Sequence, residues 1–300
     1  MRIASLIPSG TDIAFALGLG SQLVGVSHEC DHAGAQGLPI LTGSVIPFGF
    51  SPREVDDCVN EALSQPDANG SLYRTNRELL RELRPDVILT QTICDVCAVN
   101  AASVACDLPP NARLIDLSAT GFDGLWRDLR YVAKATDSDA EALIAQCQAR
   151  IETVHRVLEN ANSTPRVLSL EWTDPPFIGG HWVPEIIARA GGRDVLGQSE
   201  KPSRRATWGE IAATDPDLIL LLPCGYGLQE TAEQGRALLH QIEYSNLLAV
   251  RNGAVWATDA TRLFSRCTPH SVRAVEVVAG ILHPHLFASP TKEEALRIQE

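Results

Sequence analysis

No stretch of the 300 residues approaches the roughly 18 consecutive apolar positions of a bilayer-spanning helix, so no helix of that kind is expected. Basic residues are scarce: 25 lysines and arginines stand against 37 aspartates and glutamates, a formal charge of −12, and they form no stripe. That balance argues against nucleic acid and against anionic membrane surfaces as partners. Low-complexity runs are missing as well, so disorder is expected only within the last dozen residues. No Gly-rich phosphate loop of the Walker type occurs and no Ser-His-Asp order stands out, so the sequence announces no enzyme class. The first residues are not expected to be an apolar leader with a cleavage site. Met1-Arg2-Ile3-Ala4-Ser5-Leu6-Ile7-Pro8 reads instead as a first strand. With Met1 as the native start the expected location is the cytoplasm; if the chain was trimmed, it is the periplasm.

What is present is organised around Ser138 to Leu158. Leu143, Cys147, Ile151, Val154 and Leu158 recur at helical spacing and give one apolar stripe, with Asp137 or Ser138 as the cap and Asn160 to Pro165 as the stop. At about 1.5 Å per residue this is a rod on the order of 33 Å long. Sequence of one design lies on both sides of it. Arg166-Val167-Leu168-Ser169-Leu170 answers the first strand. Asp215-Pro216-Asp217-Leu218-Ile219-Leu220 answers Arg84-Pro85-Asp86-Val87-Ile88-Leu89, and Arg251 to Ala257 answers Asn111 to Asp116. Strands alternating with helices imply parallel sheets with right-handed crossovers. The expected fold is α/β, two Rossmann-like lobes joined by one long helix with a ligand cleft between them: an N-terminal lobe over 1–124, a helical backbone over 125–164 and a C-terminal lobe over 165–300.

Ligands of open parallel sheets bind beyond the carboxyl ends of the strands, so the residues there are the candidate site. They are His28-Glu29-Cys30-Asp31, Gln91 to Cys97, Glu171-Trp172 to Phe177, Gly180-His181-Trp182, Pro223-Cys224-Gly225-Tyr226, and Phe264 with Arg266. Trp172, Phe177 and Trp182 beside Gly and Pro suggest a platform for a flat ligand. Cys30, Cys94, Cys97 and Cys224 with His28 and His181 suit zinc or an iron–sulfur cluster, because thiolates and neutral imidazoles ligate both. Cys94-x-x-Cys97 lacks the helix N-terminal setting of a thioredoxin-type site. Asp12 and Glu185 fall near helix starts and are expected to act as caps or dipole partners. Arg204-Arg205 reads as a solvated pair. Cys58, Cys106 and Cys147 fall in helical patterns as small buried hydrophobes.

Arg2 to Asp12, the Leu-Gly-Leu-Gly turn at 17–20, Leu23-Val24-Gly25-Val26 and Leu83 to Ile88 resemble the helical-backbone (class III) periplasmic substrate-binding proteins, and within them the vitamin B12-binding branch, as an atypical sub-group without a signal peptide. The resemblance runs over nearly the whole chain. It implies a ligand-binding protein of the ABC-importer type, with cobalamin or a related corrinoid, or another metal chelate, in the interlobe cleft. Phe264-Ser265-Arg266 matches the family's Phe-x-Arg element near the last strand. Gln91 stands where an N-lobe aromatic is expected, with Tyr73 as the nearest substitute. The family's two permease-docking glutamates fall on Cys97 and on Gly209, with Glu210 one residue later, which argues against permease docking. The expected ligand contacts are therefore His28, Glu29, Tyr73, Gln91, Glu171, Trp172, Phe177, His181, Trp182, Phe264 and Arg266. One alternative is a Cys/His metal protein on Cys30, Cys94, Cys97 and Cys224; another is a thiol-dependent enzyme.

Overall fold

The structure, a computed structural model, describes residues 1–46, 49–64, 72–93 and 111–298. Its chain divides into two compact units: Met1–Ala119 with Asp123–Ala145, and Thr120–Phe122 with Gln146–Glu300. The strands of unit 1 are β1 (Ile3–Ser5), β2 (Leu23–Gly25), β3 (Thr42–Ser44), β4 (Tyr73–Thr75), β5 (Val87–Thr90) and β6 (Arg113–Asp116). Four of them form a parallel sheet in the order β2-β1-β5-β6, while β3 and β4 pair as a separate antiparallel ribbon. All four residues of β5 are sealed from water, as an unbroken apolar run in a central parallel strand requires. The helix Pro8–Ala16 starts on proline, whose fixed φ suits a first turn. Gly10 lets that helix press onto the sheet, since a Cβ there would lie 2.6 Å from Ser5 Oγ and 2.8 Å from Leu89 Cβ. Asp12 thus lies inside the helix rather than at its cap, and it is buried.

Unit 2 carries β7 (Arg166–Thr173), β8 (Pro176–Ile178), β9 (Arg193–Asp194), β10 (Arg204–Arg205), β11 (Leu218–Leu221), β12 (Val255–Thr258) and β13 (Ala295–Arg297). The sheet order is β10-β8-β7-β11-β12-β13, with β9 beside the start of β7. Strands β9, β7, β11 and β12 pair in parallel, the arrangement expected from the alternating pattern. Antiparallel strands extend this core on both edges. Only Asp174 and Pro175 separate β7 from β8, and so short a link returns the chain antiparallel. The Pro-Pro pair there reads as loop in the sequence, which hid the strand. At the other edge β13 pairs with β12, so the last dozen residues include a strand where disorder was expected.

The internal repeat is visible in hydrogen bonds. In unit 1 the Asp86 carboxylate accepts the backbone N–H of Arg2 at 2.7 Å, and in unit 2 Asp217 accepts that of Arg166 at 2.8 Å. Each brace ties the start of the first strand to the turn before the central one. The preceding helices, Arg77–Leu83 and Trp208–Thr214, both end on a left-handed residue, Arg84 at φ 44° and Asp215 at φ 45°. Both begin on side-chain caps, Asn76 and Thr207.

Two helices, Phe122–Thr136 and Glu141–Leu158, run through the middle of the sequence. The second was expected to start at Ser138. Asp137 adopts φ 53° and breaks the path, and Asp139 caps the Glu141 N–H at 2.9 Å instead. Arg130 clamps the break with a bidentate pair to Glu141 at 2.7 and 2.9 Å. Ile144 replaces Leu143 at the head of the buried stripe, followed by Cys147, Ile151 and Val154. Residues of this helix up to Ala145 group with unit 1 and those from Gln146 with unit 2.

Candidate functional site

In unit 1 the site begins where β2 ends. Val26 pairs with Ile40 in an isolated parallel bridge, and this brings Ser27 and His28 alongside Thr42 on β3. The His28 N–H donates to Thr42 Oγ1 at 3.0 Å, the His28 ring nitrogen Nδ1 lies 2.7 Å from the same oxygen, and Thr42 donates to Ser27 Oγ at 3.1 Å. Tyr73 on β4 sets its ring 5.7 Å from that of His28 and donates its hydroxyl to Glu29 Oε1 at 3.3 Å. The same carboxylate oxygen is 3.9 Å from His28 Nε2. Burial pushes the His28 imidazole below its ordinary pKa. His28, Glu29 and Tyr73 therefore converge. Gln91, at the carboxyl end of β5, is buried, and Cys30 is half-buried just after His28.

Unit 2 assembles a second cluster from the ends of β7, β8, β11 and β12. Glu171 accepts the Gly180 N–H on Oε1 at 2.8 Å, and its carbonyl accepts the Cys224 N–H at 3.1 Å. Trp172 meets Tyr226 edge to face at 5.4 Å. The Trp182 indole N–H donates to the Phe264 carbonyl at 2.7 Å, and Ser265 Oγ accepts the Gly225 N–H at 3.0 Å. Phe177 lies opposite Trp172 across the β7–β8 pair, with the Arg205 guanidinium 5.6 Å from its ring centre. His181 takes φ 49°, exchanges backbone hydrogen bonds with Glu200 and Lys201, and is lowered in pKa by burial. Gly180 permits that turn, because a Cβ there would fall 2.2 Å from the Ser203 nitrogen. Phe264 is 2 % exposed, Arg266 is half-buried, and the Cys224 side chain is exposed.

The family model described as "Periplasmic binding protein" matches residues 3–261. The chain belongs to the periplasmic binding protein family. This binding protein is 26 % identical over 297 aligned positions, covering 94 % of it and 88 % of the relative, to the vitamin B12-binding protein of Vibrio cholerae. Among solved structures, a periplasmic heme-binding protein from Pseudomonas aeruginosa superimposes with a TM-score of 0.74 at 18 % identity, covering 100 % and 99 % of the two chains. The vitamin B12-binding protein of Vibrio cholerae gives 0.63 at 23 % identity, covering 94 % and 96 %. At those identities the superpositions establish the fold.

The cysteines do not gather into a metal centre among the described residues, where no three His, Cys, Asp or Glu side chains approach closely enough to hold an ion. Cys30 belongs to unit 1 and Cys224 to unit 2; Cys94, Cys97 and Cys106 lie outside the described residues. Cys147 is buried as expected, whereas Cys58 is only half-buried. Glu185 lies in the first turn of its own helix, Val183–Arg189, where a dipole partner is expected, and it also reaches beyond that helix. Its carboxylate accepts the Phe122 N–H at 2.9 Å and so caps a different helix, while Arg189 holds it at 2.7 Å. Arg204 is likewise more than solvated: it sits on β10 and pairs with Glu210 at 2.5 Å. Two site residues were not among the expected ligand contacts. Tyr226 sat in a strand-end loop already singled out, and its aromatic character was the signal. Thr42 carried none, because only the bridge from Val26 to Ile40 brings it to His28.

Proposed function

We propose that this protein is a substrate-binding protein of the ABC-import type whose ligand is a planar metal chelate of the corrinoid or haem class. The observation that carries the reading is the aromatic group of unit 2, where Trp172 and Tyr226 meet edge to face and the Trp182 indole is fixed by the Phe264 carbonyl. Aromatic side chains held in fixed orientations suit a broad, flat, apolar face, and an ordered ring spends little further entropy on contact. Relatives named for vitamin B12 and heme binding support the same class. Within unit 1, His28, Glu29 and Tyr73 gather polar and donor groups of the kind that suit the periphery of such a chelate. On the side of the transporter, Glu210 already matches its charge with Arg204 through bonds of 2.5 and 3.2 Å. That pairing weakens it as a docking carboxylate for a permease.

Titration with hydroxocobalamin and with ferric haem, followed by tryptophan quenching and by co-elution on gel filtration, tests the reading. Stoichiometric uptake of at least one is expected; uptake of neither overturns it. Trp172→Ala is expected to weaken the retained ligand roughly tenfold, about 1.4 kcal/mol, with the fold intact by circular dichroism.

A further inference from the structure

We infer that Tyr226 determines specificity within the aromatic group of unit 2, an inference that rests on the function proposed above. Its hydroxyl donates to an uncharged carbonyl on the ligand's edge, so amide-edged chelates are taken in preference to carboxylate-edged ones. Tyr226 is fixed from three sides. Its backbone N–H donates to the Pro223 carbonyl at 3.1 Å, its carbonyl accepts the Thr261 N–H at 3.0 Å, and its ring meets Trp172 edge to face at 5.4 Å. These contacts use the backbone and the ring. The hydroxyl makes no hydrogen bond to any described residue, and the side chain is only half-buried. A phenol held in one orientation with an unused O–H is a preorganised donor beside the Trp172 indole.

The charge next to it selects the acceptor. The helix Leu228–Leu239 begins immediately after Gly227, and a helix N-terminus attracts carboxylates. Here that place is already filled, because Glu230 accepts the Gly227 N–H on Oε2 at 2.9 Å. The Glu230 charge is felt at Tyr226, whose phenol is pushed above its ordinary pKa by burial and then by this carboxylate. Tyr226 therefore keeps its proton and acts as a donor at neutral pH. A carboxylate arriving at the hydroxyl is opposed by the Glu230 charge, whereas an amide carbonyl is not. The competing role for Tyr226 is packing alone, which the ring of a phenylalanine would fill equally well.

The test measures the affinity of wild type, Tyr226→Phe and Glu230→Gln for two probes by tryptophan quenching at pH 7. Hydroxocobalamin is edged with amides and ferric haem with carboxylates. Wild type should bind hydroxocobalamin the more tightly. Tyr226→Phe should weaken hydroxocobalamin binding roughly three- to tenfold, the worth of one hydrogen bond, and leave haem binding unchanged. Glu230→Gln, which keeps an acceptor for Gly227, should strengthen haem binding about two- to fivefold and leave hydroxocobalamin binding unchanged. Equal effects of Tyr226→Phe on both probes, or none on either, would overturn the inference, since packing alone predicts them. Tighter wild-type binding of haem would overturn the amide preference and leave the chelate reading standing. Uptake of neither probe would overturn both. Should Tyr226→Phe prove unfolded by circular dichroism, Glu230→Gln decides: an unchanged haem affinity refutes the inference.

Discussion

Tyr244 is wholly enclosed, edge-on to Trp208 at 5.5 Å, and its hydroxyl has no hydrogen-bond partner among the described residues. Burial pushes the phenol far above its ordinary pKa, so the cost is that of a neutral, desolvated hydroxyl. Tyr244→Phe keeps the ring contact and removes the orphan atom. It is expected to raise stability by about 1 kcal/mol in urea denaturation, against the usual direction of core substitutions. Asp128 shows the charged version of the same cost. Its buried carboxylate accepts the Ala119 N–H at 2.8 Å and touches Arg127 at 3.4 Å, yet desolvation pushes its pKa up to about 6. The folded state thus holds this proton more tightly than the unfolded chain. The contribution is complete below the ordinary Asp value and is lost as the pH rises through about 6. Asp128→Asn should flatten that slope and be the more stable protein at pH 8, by on the order of 1–2 kcal/mol. Urea midpoints measured from pH 4 to 8 check this.

At the scale of elements, one ionic chain holds three parts of unit 2 together. Arg150, on the helix Glu141–Leu158, pairs bidentately with Glu276 at 2.8 and 2.9 Å on the helix Ser271–Leu282. Arg273 joins Glu276 at 2.9 Å to Glu294 at 2.6 and 2.9 Å, immediately before β13. The Arg273 guanidinium holds the Glu294 carboxyl down to about 2, helped by the Thr291 N–H. A depressed acid contributes above its unfolded pKa and loses that contribution as the pH falls toward 2. Glu294→Gln is therefore expected to speed hydrogen exchange in Ala295–Arg297 at pH 7, with a difference from wild type that shrinks toward pH 2. An unchanged exchange rate at pH 7 would show that pairing with β12 suffices without the ionic chain.

At the scale of the chain, the two units carry the same brace on different sequence. Asp86 with Arg2 and Asp217 with Arg166 each close a strand onto the turn before its neighbour, and each brace lies within one unit. Removing either carboxylate hands an exposed backbone N–H to water, which costs about 0.5–1.5 kcal/mol. Asp86→Ala and Asp217→Ala should each lower stability by that amount. In the double variant the losses should add to within about 0.5 kcal/mol, because the sites share no partner. Calorimetry of the two single variants and the double variant measures it.

Local pattern alone determined the alternating α/β plan, its duplication and the list of strand-end loops. The strand cores Val87–Thr90 and Leu218–Leu221 are apolar on both faces, and burial in a parallel sheet is the arrangement that satisfies them. The helix Val183–Arg189 was legible for a similar reason, with its glycine stop at 191–192 in the sequence. Contacts between distant segments had no such signature. Asp137 broke the long helix through a left-handed turn that its apolar spacing did not register, and β8 and β13 joined the sheet by pairing that only the assembled edge offers. The site divides along the same line. Residue type marked His28, Trp172 and Trp182, since imidazole and indole are conspicuous at strand ends. The contact of His28 with a threonine fourteen positions away has no local signature, and it was settled by tertiary structure.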